Sequence, residues 1–249
     1  ADLSNANLRG ANLQGTKMSG ARVADTDFSG ADLSYSILTR VDLTTANLNA
    51  VVLNEARLIG AKLDGGNLQG VEMIGADLSG ANMVATDFSG ANLASAPRGS
   101  PTTLEGADPR GADFSGANLT RAKFGVADLR GSSFVGAILE ETEFFGTNLQ
   151  AANLSRTNIR GAYLDGSNLS YATFEDARLQ QVSLKGTRLY GTLLGQAVLV
   201  EPEQTQAAEA QQPAPKEATT TLEEEVVILE LSGSSYDENT TWPEDFALP

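Results

Sequence analysis

The 249-residue sequence contains no cysteine and no histidine. These absences remove disulfides, zinc sites built from Cys and His, and the Ser/His/Asp and Cys/His arrangements of nucleophilic catalysis. Long apolar runs are missing too, since no stretch approaches the roughly 18 to 20 residues that cross a bilayer as a helix. We therefore expect a soluble protein that is not an enzyme and that carries no metal and no cofactor.

Basic residues are scarce, with 17 Lys and Arg against 32 Asp and Glu. Most of the imbalance lies near the C-terminus, because residues 1–200 have a net charge of −4 and residues 201–249 a net charge of −11. Direct binding to nucleic acid needs a basic stripe that contacts phosphates. The charge distribution therefore argues against direct nucleic-acid binding and against attachment to an anionic membrane.

Large apolar residues recur every five positions over most of the chain. These centres advance by fives from Leu3 to Leu93 and again from Leu104 to Leu199, and only Pro109 is not a large hydrophobic residue. A small residue, most often Ala, stands two positions before each centre. A period of five matches neither the helical period of 3.6 nor the strand period of 2. The pattern predicts a chain that turns a corner in every repeat, so that four repeats close a coil and point their apolar residues inward.

The repeated units carry a resemblance to a known family. A-D-L-S-N at 1–5, A-N-L-R-G at 6–10 and A-D-F-S-G at 112–116 are similar to the motif A-(D/N)-(L/F)-x-x of pentapeptide-repeat proteins, and the resemblance spans residues 1–199. It implies an all-β fold, a right-handed quadrilateral β-helix of about ten coils, followed by an extended C-terminal tail. Stacked coils of this kind form a stable rod without a globular centre.

Coils of 20 residues would stack the phenylalanines in columns and fill the interior. We expect three columns, formed by Phe114, Phe134 and Phe174, by Phe124 and Phe144, and by Phe28 and Phe88. A filled interior leaves no chamber for a substrate. The aspartates of the repeats precede the centres, and we expect them to be exposed corner residues that bond to backbone or water rather than a metal or an acid/base pair.

The repeat phase breaks once, at residues 94–103. The centres at the junction are 11 residues apart where two repeats would take 10, and the segment contains Pro97, Gly99 and Pro101. Proline cannot donate to a strand ladder, so we expect a bulge or a short excursion from one corner. An insertion tolerated at a corner explains the break. In antibiotic-resistance members of the family, however, loops that leave the coil take part in target recognition, which makes Pro97, Arg98 and Pro101 a candidate loop site.

The composition changes after the last repeat. Residues 200–221 are polar and rich in proline, which is typical of a flexible linker. Residues 222–249 form an acidic and apolar segment that would bind a partner or cap the rod, and its candidate residues are Val226, Val227, Ile228, Leu229, Leu231, Tyr236, Trp242, Phe246 and Leu248. The segment would either fold back over the open C-terminal coil or add a strand to a partner, with Trp242 and Phe246 as anchors.

Exposed apolar residues outside the inward positions are scattered over several sides of the rod. They are Val52, Ile59, Ile74, Val84, Ile138, Phe145, Leu193 and Val198. Single surface hydrophobes are ordinary. The C-terminal part, which holds the last four, is the better candidate for contact with the tail or a partner.

These features favour a non-enzymatic scaffold or adaptor that binds protein partners in a multi-subunit complex and uses its tail for docking. The family resemblance adds one finer expectation, a linker or accessory subunit of a photosynthetic assembly. It also implies two alternatives to the scaffold: a DNA-mimic inhibitor or protector of gyrase, and a regulator that binds a signalling protein through a solenoid face. The sequence leaves a homo-oligomer open. We expect the cytoplasm, with an organellar or thylakoid-lumen location open because the chain starts at Ala1 in repeat phase, as after loss of a targeting peptide.

Overall fold

The computed structural model describes residues 1–195, 197, 231 and 234–242. In this part of the chain the regular elements are isolated parallel β-bridges, with no helix and no longer strand. Bridges join residues 20 positions apart, as when Asn7 pairs with Asp27 and Asp27 with Asn47. Four faces, which we label A to D in chain order, begin with the bridge residues Asp2, Asn7, Asn12 and Lys17. The chain thus forms a right-handed quadrilateral β-helix.

Two backbone hydrogen bonds per bridge hold successive coils together. Between the first coils, Leu8 N donates to Asp27 O at 2.8 Å and Asp27 N donates to Ala6 O at 2.9 Å. The same pair of bonds recurs along the rod with the centre residue as one donor and the bridge residue as the other. Because neighbouring coils satisfy each other's backbone N–H and C=O groups, the coils can stack into a rod without a globular core.

Each corner is a tight turn in which one residue has a left-handed backbone. Ala11 N donates to Leu8 O at 3.0 Å across one corner, and Gly10 there has φ of 65°. This combination is expected of a type II turn, whose third residue needs a positive φ. Over residues 1–191, the second residue after each centre has a positive φ except at Thr45 and at Ser95. One bridge is absent on each side of the Thr45 corner: the bridge from Arg22 to Asp42 before it and the bridge from Asn47 to Asn67 after it. The ladder is therefore open locally at this corner.

The centres of the repeats fill the rod. Leu33, Leu58 and Phe88 are completely buried, and so are several of the alanines that stand two positions before a centre, such as Ala31 and Ala61. At the N-terminal end, Leu3, Leu8 and Leu13 are only partly buried and pack against the same core. One apolar column therefore runs through the described coils.

The phase break is a six-residue insertion that leaves the coil geometry intact. Asp77 pairs with Thr103, an interval of 26 residues instead of 20, while Asn92 pairs with Asn118 on the next coil. The chain leaves the coil after Ser95 and rejoins it at Thr102, so residues 96–101 form a loop at the corner between faces C and D. The step from one centre to the next across the break therefore counts as one side of the coil rather than two.

This register corrects one of the aromatic columns. The expectation that Phe28 and Phe88 form a column of their own was wrong, because Phe88 stacks on Phe114 with ring centroids 5.1 Å apart and planes inclined by 1°. Phe114 stacks in turn on Phe134 at 5.0 Å. The expected pair of Phe124 and Phe144 is present, with centroids 5.0 Å apart. The two columns meet edge to face and form one aromatic cluster that spans the break.

Proline at a centre removes one bond from the ladder. Pro109 is buried like any other centre but has no N–H, and the bridge between Asp108 and Asp128 on that face is absent. The next corner is intact, since Gly111 N donates to Arg130 O at 3.0 Å. The disturbance is therefore confined to a single position.

The aspartates that directly precede the centres lie on the faces and not at the corners, which corrects their expected position. Asp27, for example, is a bridge residue whose Oδ1 accepts from Ser29 N at 2.9 Å. Hydrogen bonds from the side chain and backbone of Ser29 lower the pKa of Asp27 below its ordinary value. The carboxylate thus links the face to the following turn, as an Asx turn does.

Candidate functional site

The loop at residues 96–101 is anchored at its base by two hydroxyl groups. Thr102 is buried, and its Oγ1 accepts from Gly75 N at 2.8 Å and donates to Ala94 O at 2.7 Å. Ser95 Oγ donates to Arg121 O at 2.6 Å and accepts from Thr102 N at 3.1 Å. These bonds tie the base of the loop to the coils before and after it.

The loop lies against the preceding coil. A Cβ at Gly75 would stand 2.9 Å from Ser100 O, so only glycine fits beneath the loop at that corner. Within the loop, Ala96 N donates to Ser100 O at 3.3 Å. The residues that the sequence marked as a candidate loop site, Pro97, Arg98 and Pro101, are exposed on its outer side. Their role in binding stays a prediction.

A shallow groove of about 370 Å³ runs from the loop along face D. Its floor and walls include two ion pairs that are parallel to the rod axis. Arg121 Nε lies 2.7 Å from Glu141 Oε2, and Lys123 Nζ lies 3.4 Å from Glu143 Oε2. The far end is formed by Tyr163. We call the surface formed by the loop, these four charged residues and Tyr163 the loop groove.

An exposed aromatic stack borders the loop groove. The rings of Tyr163 and Phe145 are 5.7 Å apart with planes inclined by 27°, and the two residues are 45% and 42% exposed. Val126 adjoins them, since its N–H donates to Phe145 O at 2.9 Å, and it is 72% exposed. Aromatic side chains are enriched at the centres of protein interfaces.

Only part of this surface was predictable from the sequence. The sequence indicated the loop and the exposed Phe145, but it missed Tyr163 and Val126. Tyr163 takes a bridge position that is usually polar and Val126 a corner position that is usually glycine or a polar residue. Large apolar residues at these outward positions were the available signal.

The charges of the loop groove are neutralised locally. The hydrogen bond from Arg121 lowers the pKa of the Glu141 carboxyl, and the same bond raises the pKa of the Arg121 guanidinium. Face A behaves in the same way, where the hydrogen bond from Arg110 lowers the pKa of Asp108. Such exposed pairs contribute little stability, and their main effect is to give the rod a surface of mixed charge.

Part of the predicted tail site lies on the rod itself. Ser235 forms a bridge with Arg188 and Thr241 forms one with Leu193, which places Tyr236 and Trp242 at the C-terminal end of the solenoid. Their rings meet edge to face with centroids 5.3 Å apart. Leu231 also packs against the core. The other predicted tail residues lie outside the described part of the chain, as does the predicted linker at 200–221; they are Val226, Val227, Ile228, Leu229, Phe246 and Leu248.

The described residues contain no group of three or more Asp and Glu residues arranged to hold a metal ion. The same residues include no helix long and apolar enough to cross a membrane.

The fold and the loop groove define a repeat solenoid, a rod with filled coils whose distinctive residues are on its outer surface. The model of a known family, described as pentapeptide repeats, matches the sequence in 8 copies at residues 1–23, 26–65, 56–94, 102–125, 127–161 and 157–196. These matches cover most of the chain. The protein therefore belongs to the pentapeptide-repeat family.

Solved structures of other family members resemble it. HetL, a pentapeptide-repeat protein involved in heterocyst differentiation regulation in the cyanobacterium Nostoc sp. strain PCC 7120, is 31% identical over 79% of this chain and 84% of its own, with a TM-score of 0.44. A pentapeptide-repeat protein from the Arabidopsis thaliana thylakoid lumen is 28% identical over 47% of this chain and 68% of its own, with a TM-score of 0.18.

A third structure, QnrB1, is a plasmid-mediated fluoroquinolone resistance protein. It is 15% identical over 95% of this chain and 92% of its own, with a TM-score of 0.29. The comparison with curated proteins gives no match.

Proposed function

We propose that this protein is a non-enzymatic scaffold or adaptor that binds a protein partner through the loop groove. The observation that supports this most strongly is the exposed stack of Tyr163 on Phe145 beside a loop that is anchored at both ends. Aromatic residues of this kind contribute a large share of binding energy at protein interfaces.

The way the loop is anchored supports a role in partner recognition rather than an insertion without a function. Six residues leave the coil without changing its register, so the rod itself does not need them. Yet their base is fixed by the buried hydroxyl of Thr102 and by Ser95. A loop held in one position loses little conformational entropy when it binds.

The charge pattern supports a protein partner over a polyanion. The loop groove alternates Arg121 and Lys123 with Glu141 and Glu143, and the basic groups are paired within it. A nucleic acid would need unpaired basic groups at regular intervals. A folded protein of mixed surface charge fits this arrangement.

We place the partner in a multi-subunit complex, and we keep the cytoplasm as the expected location. Docking through the tail segment at 222–249 stays a prediction, and its residues 222–230 and 243–249 lie outside the described part of the chain. Replacing Val227 and Leu229 by serine tests it independently of the loop groove. Loss of the partner from that variant alone would assign docking to the tail.

The proposal is tested by affinity purification from an extract of the source organism, followed by quantitative identification of bound proteins. Tyr163→Ser and deletion of residues 96–101 should each reduce the captured partner at least tenfold. The matched control is Tyr35→Asn, because Tyr35 is 58% exposed at a corner of the N-terminal half. Capture that is equal for all variants would contradict the proposal, provided circular dichroism shows that they fold alike.

The gyrase alternative makes a different demand on the rod. A DNA mimic should present a continuous acidic face, whereas Asp108 and Asp128 on face A are each bound by a neighbouring arginine, Arg110 and Arg130. A supercoiling assay with purified gyrase separates the two functions. Full topoisomerase activity at excess protein would eliminate DNA mimicry.

A further inference from the structure

The tail resumes the repeat pattern after a long interruption. In the sequence Leu231-Ser-Gly-Ser-Ser-Tyr236, two residues that include a glycine follow a large apolar residue, and a small and a polar residue then precede the next large one. This is the order of the repeats in the rod. Ser234 N donates to Leu231 O at 3.0 Å, which is the bond that closes each corner, as from Ala11 N to Leu8 O.

Bridge bonds join this segment to the last coil as another coil would be joined. Leu189 N donates to Ser235 O at 2.7 Å and Ser235 N donates to Thr187 O at 2.8 Å. On the next face, Leu194 N donates to Thr241 O and Thr241 N to Thr192 O, both at 3.0 Å. The donors and acceptors have the same relative positions as between any two coils of the rod.

Aromatic residues take the centre positions of this partial coil. Tyr236 follows Ser235 as Leu189 follows Arg188, and Trp242 follows Thr241 as Leu194 follows Leu193. Tyr236 is 46% exposed, whereas Trp242 is half-buried and packs against the core. Rings larger than leucine suit a terminal coil because their outer edges can project beyond the column.

One extra residue separates Tyr236 from Trp242, and the turn between them absorbs it. Thr240 N donates to Asp237 O at 3.1 Å, and the Asp237 carboxylate accepts from Gly191 N at 2.9 Å. Thr240 is buried, and its Oγ1 donates to Leu189 O at 2.6 Å. The corner glycine and the carbonyl below are thus satisfied by side chains of the tail.

We infer that the C-terminal edge of the rod, residues 187–195, is a binding site for an extended peptide that alternates small, polar and aromatic residues. Its occupant is the chain's own tail, whose described residues 231 and 234–242 end the solenoid as a partial coil on faces A and B. Unpaired parallel edges would otherwise offer N–H and C=O groups to other chains. The segment therefore stabilises the rod end and blocks end-to-end association. The inference does not depend on the loop groove.

The absence of natural cysteine allows a direct test by engineered disulfides. Bridge neighbours have Cα separations that a disulfide can span. Leu193→Cys with Thr241→Cys, and separately Arg188→Cys with Ser235→Cys, should form disulfides within one chain on mild oxidation. The matched control is Arg188→Cys with Thr241→Cys, whose positions are on different faces. We expect at least tenfold faster crosslinking for either in-register pair, measured by gel mobility and peptide mass mapping.

Two outcomes would overturn the inference. Equal rates for in-register and control pairs would mean that the segment has no fixed register on the rod. Disulfides that link two chains would mean that a second copy occupies the site. A readout without cysteine is Trp242→Ala, which should raise amide exchange at Leu189 and Leu194 at least tenfold and leave Leu33 unchanged. No change at the first two amides would equally contradict the inference.

Discussion

At the scale of single residues, one backbone dihedral at each corner decides which side chains are tolerated. A positive φ costs a residue with a Cβ roughly 1–2 kcal/mol relative to glycine. Val126 has φ of 52°, and as a β-branched residue it is a particularly poor fit to this conformation. Val126 is 72% exposed, so its backbone strain lies at the surface, beside the aromatic stack that borders the loop groove.

Replacing this valine by glycine should stabilise the rod. For Val126→Gly we expect the free energy of unfolding to rise by about 1 kcal/mol, since relief of backbone strain exceeds the entropy that glycine adds to the unfolded chain. The measurement is chemical denaturation. The control is Gly116→Ala, where φ is 65° and a Cβ would meet nothing within 4 Å, so that the backbone alone should cost about 1 kcal/mol. A loss of stability in Val126→Gly would show that its side-chain contacts outweigh the strain.

The inward position of the small residues before the centres could be predicted from the sequence. The hydrogen-bond acceptors of their hydroxyl groups could not. Thr26 Oγ1 donates to Leu3 O at 2.8 Å in the preceding coil, whereas Thr16 Oγ1 donates to Leu13 O at 2.7 Å in its own corner. Both are threonines at the same repeat position. The repeat pattern predicts that a threonine at this position points inward. Its side-chain rotamer, which selects the acceptor, depends on neighbouring side chains that the periodicity does not reveal.

At the scale of elements, the loop at 96–101 is inserted between two sides of a coil and depends on Thr102. This hydroxyl is buried and both accepts from Gly75 N and donates to Ala94 O. Removing it leaves Gly75 N and Ala94 O bonded only to each other, at 3.2 Å. Weakening the partners of buried polar groups in this way costs roughly 1–3 kcal/mol in total.

Thr102→Val should therefore lower the free energy of unfolding by about 2 kcal/mol, as measured in urea. Thr103→Val is the matched control, because Thr103 is half-buried on the face and its hydroxyl accepts a long bond from Glu105 N at 3.3 Å. It should change stability by less than about 0.5 kcal/mol. Equal effects of the two substitutions would remove Thr102 from its anchoring role.

The position of the loop was predictable, but its register was not. Pro97, Gly99 and Pro101 located the break at 94–103. Counting by fives made the 11-residue interval resemble two repeats with one extra residue, whereas the bridge from Asp77 to Thr103 makes it one side of the coil. Composition does not reveal how many sides a segment spans, because either count keeps hydrophobic residues inward.

At the scale of the whole molecule, five-residue periodicity predicted the filled solenoid because each repeat makes the same contacts. The end of the rod was harder to predict. Leu231, Tyr236 and Trp242 are five and six residues apart and follow a long interruption. The regular pattern therefore ends at Leu199 and predicts a separate segment after it rather than a further coil. Its bridges to Arg188 and Leu193 join residues far apart in sequence, which no local periodicity can indicate.

The proposed function depends on a hydrogen-bond ladder that continues past the loop, because one unbroken rod places the loop groove on a rigid surface. Leu78 N, Phe88 N and Leu93 N donate across the insertion to Thr103 O, Asp113 O and Asn118 O at 2.7–2.8 Å. An uninterrupted ladder should protect these amides as well as one remote from the break, such as Leu33, which donates to Val52 O at 2.8 Å.

Amide hydrogen exchange followed by NMR tests this most directly. We predict that the exchange rates at Leu78, Phe88 and Leu93 fall within tenfold of the rate at Leu33, while Arg98 and Ser100 in the loop exchange at least a thousandfold faster. Exchange at the three cross-break amides as fast as in the loop would contradict the account, since the chain would then form two separate solenoids without a common loop groove.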